Sequence, residues 1–172
     1  MDSLQLIPDC FPQLHTLHLS YNKIPPGHLT TLGYLNSLQV LNLGSNELCT
    51  LPSDLSFMHS LQELNLSSNN FSSDSTLVNP NALMRAISTI SSLRKLNLSR
   101  NKFVEFHYGD LPENNEQAPL EQQVFPCLEE LYFAFNQVPT EDKLFYPVMQ
   151  IPSLKYLVIT GNPFATASIG NS

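Results

Sequence analysis

The pattern that recurs along this chain is clearest in Leu93 to Phe103, LRKLNLSRNKF. Counted as positions 1 to 11, apolar residues fall at 1, 4, 6 and 11 and an asparagine at 9. Leu96 and Leu98 alternate with Lys95 and Asn97, the period-2 signature of a half-buried strand. Leu93 and Leu96 alone fit a helical turn, but Leu98 is out of phase with one. The same positions return in LHTLHLSYNKI from Leu14, LQVLNLGSNEL from Leu38, LQELNLSSNNF from Leu61, LEELYFAFNQV from Leu128 and LKYLVITGNPF from Leu154. Each copy is a strand plus a return path that cannot bury its own apolar edge, so the copies must stack. Stacked strands joined by crossovers make a parallel sheet, with positions 4 and 6 turned inward and 3 and 5 toward solvent.

Position 9 is asparagine in all six copies: Asn22, Asn46, Asn69, Asn101, Asn136 and Asn162. There the chain turns away from the sheet and strands backbone groups without a ladder partner. A carboxamide offers both donor and acceptor, so a buried column of six can satisfy them. On this reading Asn101→Ala is costly and Asn162→Ala, at the end, costs less. In these residues the chain resembles the leucine-rich repeat family. The resemblance implies an α/β leucine-rich repeat solenoid of six repeats, with a parallel concave sheet and a mixed helical and irregular convex side. It also implies a non-catalytic module that binds a protein partner on the concave face.

The position-1 leucines are 24, 23, 32, 35 and 26 residues apart. Three residues before each stands an apolar residue (Phe11, Leu35, Met58, Ile90, Phe125, Ile151) that closes the convex side. The first two returns are compact, and Leu51-Pro52 followed by Leu55 and Met58 suits short 3₁₀ or irregular turns. In the third, Leu83, Met84, Ile87 and Ile90 have helical spacing, which predicts a convex helix over 81–90 capped by Asn81. Residues 108–123 are polar, acidic and interrupted by two prolines, an insertion bulging from the solenoid. Residues 1–13 read as part of a preceding repeat or a weak cap. Residues 14–164 are the solenoid, and 165–172 a disordered tail. The strand around Leu17 to Leu19 then has an open edge, as in a piece of a longer array.

Composition narrows the function. A net charge of −7 and a pI near 5.0 argue against nucleic acid and anionic membrane as partners. From Glu105 to Asp142 there are nine carboxylates and no lysine or arginine. No apolar run is long enough to span a bilayer, and the first residues lack a signal-peptide pattern. Cys10, Cys49 and Cys127 are odd in number and widely spaced, which points to free thiols in a reducing compartment, the cytoplasm or the nucleus. The glycosylation sequons at Asn65, Asn97 and Asn70 fall in or beside strands and are discounted. His15 and His18 lie on opposite faces of a strand, so they make no metal pair. No phosphate loop, Cys-x-x-Cys pair or nucleophile motif is present; no enzyme activity, metal, cofactor or small-molecule substrate is expected.

On the concave face position 7 is uniformly small, and position 5 holds Asn42, Asn65 and Asn97, which are expected to hydrogen-bond along the sheet. At position 3, Glu63, Lys95 and Glu130 alternate in sign across neighbouring strands; they read first as a self-satisfied ladder and second as a docking site. The C-terminal end differs. Tyr132 and Phe135, assigned to the fifth strand, and Tyr156 and Val158 on the sixth form a candidate partner-binding cluster, with Arg94, Lys95 and Arg100 as a basic rim. The alternative is an architectural subunit packed along its length within a larger assembly.

Overall fold

The computed structural model describes residues 6–8, 10–73, 80–107 and 124–167. Six three-residue strands, β1 (Thr16–His18), β2 (Val40–Asn42), β3 (Glu63–Asn65), β4 (Lys95–Asn97), β5 (Glu130–Tyr132) and β6 (Tyr156–Val158), form one parallel sheet in chain order. The register is position for position throughout: Leu17, Leu41, Leu64, Leu96, Leu131 and Leu157 lie side by side. The alternation dictates this, because a one-residue slip would turn every position-4 leucine to solvent. Leu41, Leu64, Leu96 and Leu131 are buried, as are Leu43, Leu66, Leu98 and Phe133 at position 6. In the end strands Leu17, Leu19, Leu157 and Ile159 are only half-buried, since among the described residues each has a neighbouring strand on one side alone.

In all six coils the N–H of the position-1 leucine donates to the carbonyl three residues earlier, at 3.0–3.3 Å, closing the same tight turn into the strand. Five of the six apolar residues at that carbonyl are buried, Leu35, Met58, Ile90, Phe125 and Ile151. Phe11 is the exception, 63% exposed, because no coil precedes it among the described residues. In four coils the residue before position 1 is a serine whose hydroxyl donates to a carbonyl of the previous coil: Ser37 to Pro12 and Ser60 to Asn36 at 2.8 Å, Ser92 to Leu61 at 2.7 Å, Ser153 to Leu128 at 2.8 Å. This serine column was not anticipated.

The returns are mixed in structure. The first is a 3₁₀ helix, Pro26–Tyr34, opened by consecutive prolines. The second is irregular. The third is the helix α1, Pro80–Ser88. It begins at Pro80, so Asn81 lies within its first turn and is not its cap; proline suits the first helical position because the missing N–H would have no partner there. The fifth return is the short helix α2, Asp142–Val148, which contains Pro147. Proline cannot donate to the carbonyl four residues back, Lys143, and that carbonyl instead takes the N–H of Phe106 at 2.9 Å. The helix α3, Pro163–Ala167, takes in the first three residues of the tail expected to be disordered. Ala165 packs against the core, since Phe164 beside it is buried against Phe145 with ring centroids 6.0 Å apart. The rest of that tail and the 108–123 insertion lie outside the described residues. Phe106 and Phe125, flanking the insertion, are both buried, 6.4 Å apart, and Phe106 meets Phe133 edge-on at 5.4 Å.

The asparagines tie coil to coil. Asn69 Nδ2 donates to its own Leu66 carbonyl and to Leu43 of the previous coil, both at 3.0 Å. Its Oδ1 accepts the N–H groups of Asn46 at 3.0 Å and Leu48 at 2.9 Å. Asn101 and Asn136 bridge backward in the same way, to Leu66 and Leu98 at 3.1 Å. Asn162 is fully buried and reaches Phe133 at 2.9 Å, so the C-terminal member is as embedded as the inner ones, contrary to the reading from the sequence. The weak member is Asn22, which is exposed and whose carboxamide, among the described residues, donates to its own Ser20 carbonyl at 2.9 Å and not to another coil.

Asn101→Ala and Asn162→Ala should each cost about 1–3 kcal/mol, because buried backbone groups lose their partners. Asn22→Ala should cost far less. Urea midpoints of the three variants check the order, and equal shifts for all three would remove the burial argument.

Candidate functional site

The concave face carries positions 3 and 5 of every strand, with position 7 just beyond the strand ends. Asn42, Asn65 and Asn97 do not hydrogen-bond to one another along the sheet; of the three, Asn42 alone reaches across, to His18. Each folds its Oδ1 back onto the N–H two residues on: Gly44 and Ser67 at 2.9 Å, Ser99 at 3.0 Å. The position-6 carbonyl of the neighbouring strand is already taken by a position-9 carboxamide, so the position-7 N–H needs another acceptor. Tyr132 cannot serve in the fifth coil, and there Ala134 N–H uses Ser99 Oγ at 3.2 Å. The one cross-strand contact of this column is Asn42 Nδ2 with His18 Nδ1 at 3.4 Å. Beside these short side chains lies a hollow of about 140 Å³ lined by His18, Val40, Asn42, Glu63, Asn65 and Lys95, which the sequence reading missed.

Across β4 to β6 the face becomes aromatic. Tyr132 stands directly opposite Val158, and Tyr156 opposite Glu130, so the two tyrosines meet on the diagonal with ring centroids 5.6 Å apart. Tyr156 is 53% exposed. Tyr132 Oη donates to Glu130 Oε2 at 2.9 Å, and Lys95 Nζ lies 3.4 Å from the same oxygen and 5.5 Å from the Tyr132 ring centre. The hydrogen bond to Glu130, then burial, raises the Tyr132 phenol above its ordinary value. For Lys95 burial is the largest single influence and pulls down, but the hydrogen bond and charge of Glu130, with Tyr132 and Glu63, together outweigh it and hold the ammonium above its usual range. Both groups therefore keep their protons at neutral pH. The expected Glu63–Lys95–Glu130 ladder is half formed: Lys95 pairs with Glu130, while Glu63 makes no ion pair among the described residues and lines the hollow.

The other candidate residues stand elsewhere. β5 ends at Tyr132, so Phe135 is not on the strand. It occupies position 8, where Tyr21, Ser45, Ser68, Arg100 and Phe135 all have φ between 54° and 62° and Gly161 has 75°. In this column the Arg100 guanidinium lies 4.5 Å from the Phe135 ring centre, and a Cβ on Gly161 would run into the other side of that ring. Among the described residues no ring contact joins Phe135 to the tyrosines. Arg94, at position 2, binds Glu129 at 2.7 Å, and Glu129 in turn binds Lys155 at 3.1 Å. Arg94, Lys95 and Arg100 are thus each engaged by a different neighbour and are spread from one end of the strand to beyond the other; they form no common basic rim. The hydrogen bond from Lys155, then its charge and that of Arg94, outweighs partial burial and lowers the Glu129 carboxyl below 4.5.

Two leucine-rich repeat family models match the chain, one over residues 12–71 and the other over 60–83 and 92–114, together more than half of its length. The chain belongs to the leucine-rich repeat family. No curated protein matches it. Leucine-rich repeats generally mediate protein–protein interaction and are generally non-enzymatic. In this leucine-rich repeat protein no three metal-ligating side chains cluster among the described residues, and no described helix is long and apolar enough to cross a membrane. The concave face carries an aromatic pair, the Lys95–Glu130 ion pair and a shallow hollow.

Gly161→Ala should destabilise the protein by about 1–3 kcal/mol, since the new methyl displaces Phe135 and the backbone is left-handed. In a Phe135→Ala background the penalty should shrink to the backbone part, a coupling that a double-mutant cycle in urea reads directly. Lys155→Ala should raise the Glu129 pKa toward its ordinary 4.5, measurable by carboxyl-carbon NMR. A lowered carboxylate pKa stabilises the fold above that ordinary value and loses its effect as pH falls through the folded value, so the variant should flatten acid sensitivity below pH 4.5.

Proposed function

We propose that this leucine-rich repeat protein is a non-catalytic interaction module that binds a protein partner on its concave face, anchored on Tyr132 and Tyr156. The observation behind this reading is the tyrosine pair itself. Two aromatic rings in diagonal contact, one more than half exposed, stand where the preceding coils place asparagine, glutamate and valine. Tyrosine brings a large apolar surface with little rotamer entropy to lose, which is why such rings dominate binding energy. Lys95 and Glu130 hold the Tyr132 ring and hydroxyl in place, so the surface is organised before a partner arrives. Val158 extends the apolar patch opposite Tyr132. The Glu63 carboxylate in the adjoining hollow suits a cationic side chain of the partner. Phe135 and Arg100 flank the patch beyond the strand ends, and Arg94 contributes through its pairing with Glu129.

The partner is a protein and not nucleic acid, membrane or a small molecule, consistent with the acidic chain and the shallow hollow. A cytoplasmic or nuclear setting accords with three unpaired cysteines, Cys10, Cys49 and Cys127. A second reading is an architectural subunit packed within a larger assembly.

The double change Tyr132→Ala and Tyr156→Ala should abolish capture of the partner from cell extract while circular dichroism and urea midpoint stay near wild type. Losing either ring alone typically weakens binding by about 2 kcal/mol or more. Capture unchanged in the double variant would move the binding surface off this face.

A further inference from the structure

Lys95 stands between two carboxylates. Across one strand pair it lies directly opposite Glu63 of β3, and across the other directly opposite Glu130 of β5. At equal strand spacing, charge alone favours neither. Yet the ammonium pairs with Glu130 at 3.4 Å and makes no ion pair with Glu63 among the described residues. Tyr132 supplies the bias. Its hydroxyl donates to the same Glu130 oxygen at 2.9 Å, and its ring centre lies 5.5 Å from Lys95 Nζ. Lys95 is thereby held toward β5, and Glu63 is left to line the hollow of about 140 Å³.

His18 on β1 and Lys95 on β4 stand at the two ends of that hollow, and the short Val40, Asn42 and Asn65 between them leave the room. The main chain of Leu41 and Leu64 forms its floor, since their side chains are buried on the other side of the sheet. The state of the His18 ring follows from its neighbour. Asn42 Oδ1 accepts the Gly44 N–H at 2.9 Å, which leaves Nδ2 as the atom 3.4 Å from His18 Nδ1. An amide nitrogen only donates, so Nδ1 accepts, and the ring is neutral with its proton on Nε2. The hollow thus combines a carboxylate, a flat neutral ring and an apolar valine. It is well below the roughly 300 Å³ at which drug-sized ligand sites begin, and suits one side chain.

We propose that the hollow is a pocket for a single arginine side chain of the protein partner, with Glu63 receiving the guanidinium and the His18 imidazole stacking on it. This rests on the concave-face reading and gives the partner's chemistry. A guanidinium meets a carboxylate through two parallel N–H groups and stacks on flat rings, neither of which an ammonium does. Its charge is delocalised and weakly hydrated, so it tolerates the nearby Lys95 better than a lysine would. Lys95 also lines the hollow, which raises the converse reading of an anion site. Against it, Lys95 already has Glu130, whereas Glu63 has no cation among the described residues.

The probe is N-acetyl-arginine N-methylamide, added at low salt to the whole chain labelled with nitrogen-15. The carboxamide signals of Asn42 and Asn65 and the ring signals of His18 should shift and saturate. The lysine analogue should act more weakly, and the citrulline analogue, of the same shape without the charge, should give no saturable shift. Glu63→Gln, at an exposed side chain, should abolish saturation by arginine with circular dichroism unchanged. Glu130→Gln alters no residue of the hollow but frees Lys95 to pair with Glu63, and should weaken the arginine probe too. Tyr156→Ala should weaken partner capture and leave the arginine shifts intact, so the pocket and the aromatic anchor are separable. No saturable shift with arginine, arginine shifts that survive Glu63→Gln in a folded protein, or tighter saturation by the lysine, citrulline or aspartate analogue overturns the proposal. If capture is lost with the tyrosines but arginine gives no saturation, the pocket falls and the concave-face reading stands; arginine saturation with capture unchanged in the tyrosine variants does the reverse.

Discussion

Everything in this molecule depends on a single side-chain device, the position-9 carboxamide bonded to two coils at once. A three-residue strand is too short to hold a sheet by its ladder alone, and tight turns at both ends leave N–H and carbonyl groups pointing into an apolar interior. Each inner asparagine takes two or three of those carbonyls and gives its oxygen to the N–H groups beyond the previous strand. Hydrophobic burial drives the stacking, but the carboxamides make burial of the turns affordable and set the register at which leucine meets leucine.

That device has consequences at its neighbours. Because the asparagine occupies the position-6 carbonyl, the position-7 N–H must look elsewhere, and an asparagine at position 5 answers in three coils. What resembles a polar recognition stripe is therefore backbone repair. The fifth coil dispenses with it by borrowing Ser99, and so frees position 5 to be Tyr132. The proposed tyrosine anchor stands where the repair has been reassigned. The left-handed residue at position 8 follows from the same turn, and its column is free to vary from serine to arginine to phenylalanine because those side chains leave the core.

The strands, their parallel order, the six coils and the asparagine column were all legible, since each rests on a residue type repeated at fixed spacing. The convex helix over the third return was legible from Leu83, Met84 and Ile87. Less was legible where a residue's role is set by a neighbouring coil. Phe135 reads as part of a strand until the strand is seen to stop at Tyr132. Arg94, Lys95 and Arg100 share one repeat but meet Glu129, Glu130 and Phe135 respectively. The serine before position 1, present in four of six copies, was visible as a column; its meaning, a hydroxyl reaching back one coil, was not. The helix Asp142–Val148 is hidden by its proline, which is tolerated only because Phe106 takes the carbonyl that Pro147 cannot use.

The unequal returns also shape the molecule as a whole. Strands sit about 4.8 Å apart on the inner side, whereas packed helices need about 8–10 Å. The coil with an irregular return is thin on both sides and stacks nearly flat. Coils that place α1 or α2 outside are wedges, wide at the back and narrow at the front, and they bend the array. Both the hollow and the tyrosine pair lie opposite such a coil: the hollow is lined by Glu63 and Asn65 of the coil that carries α1, and Tyr132 belongs to the coil that carries α2.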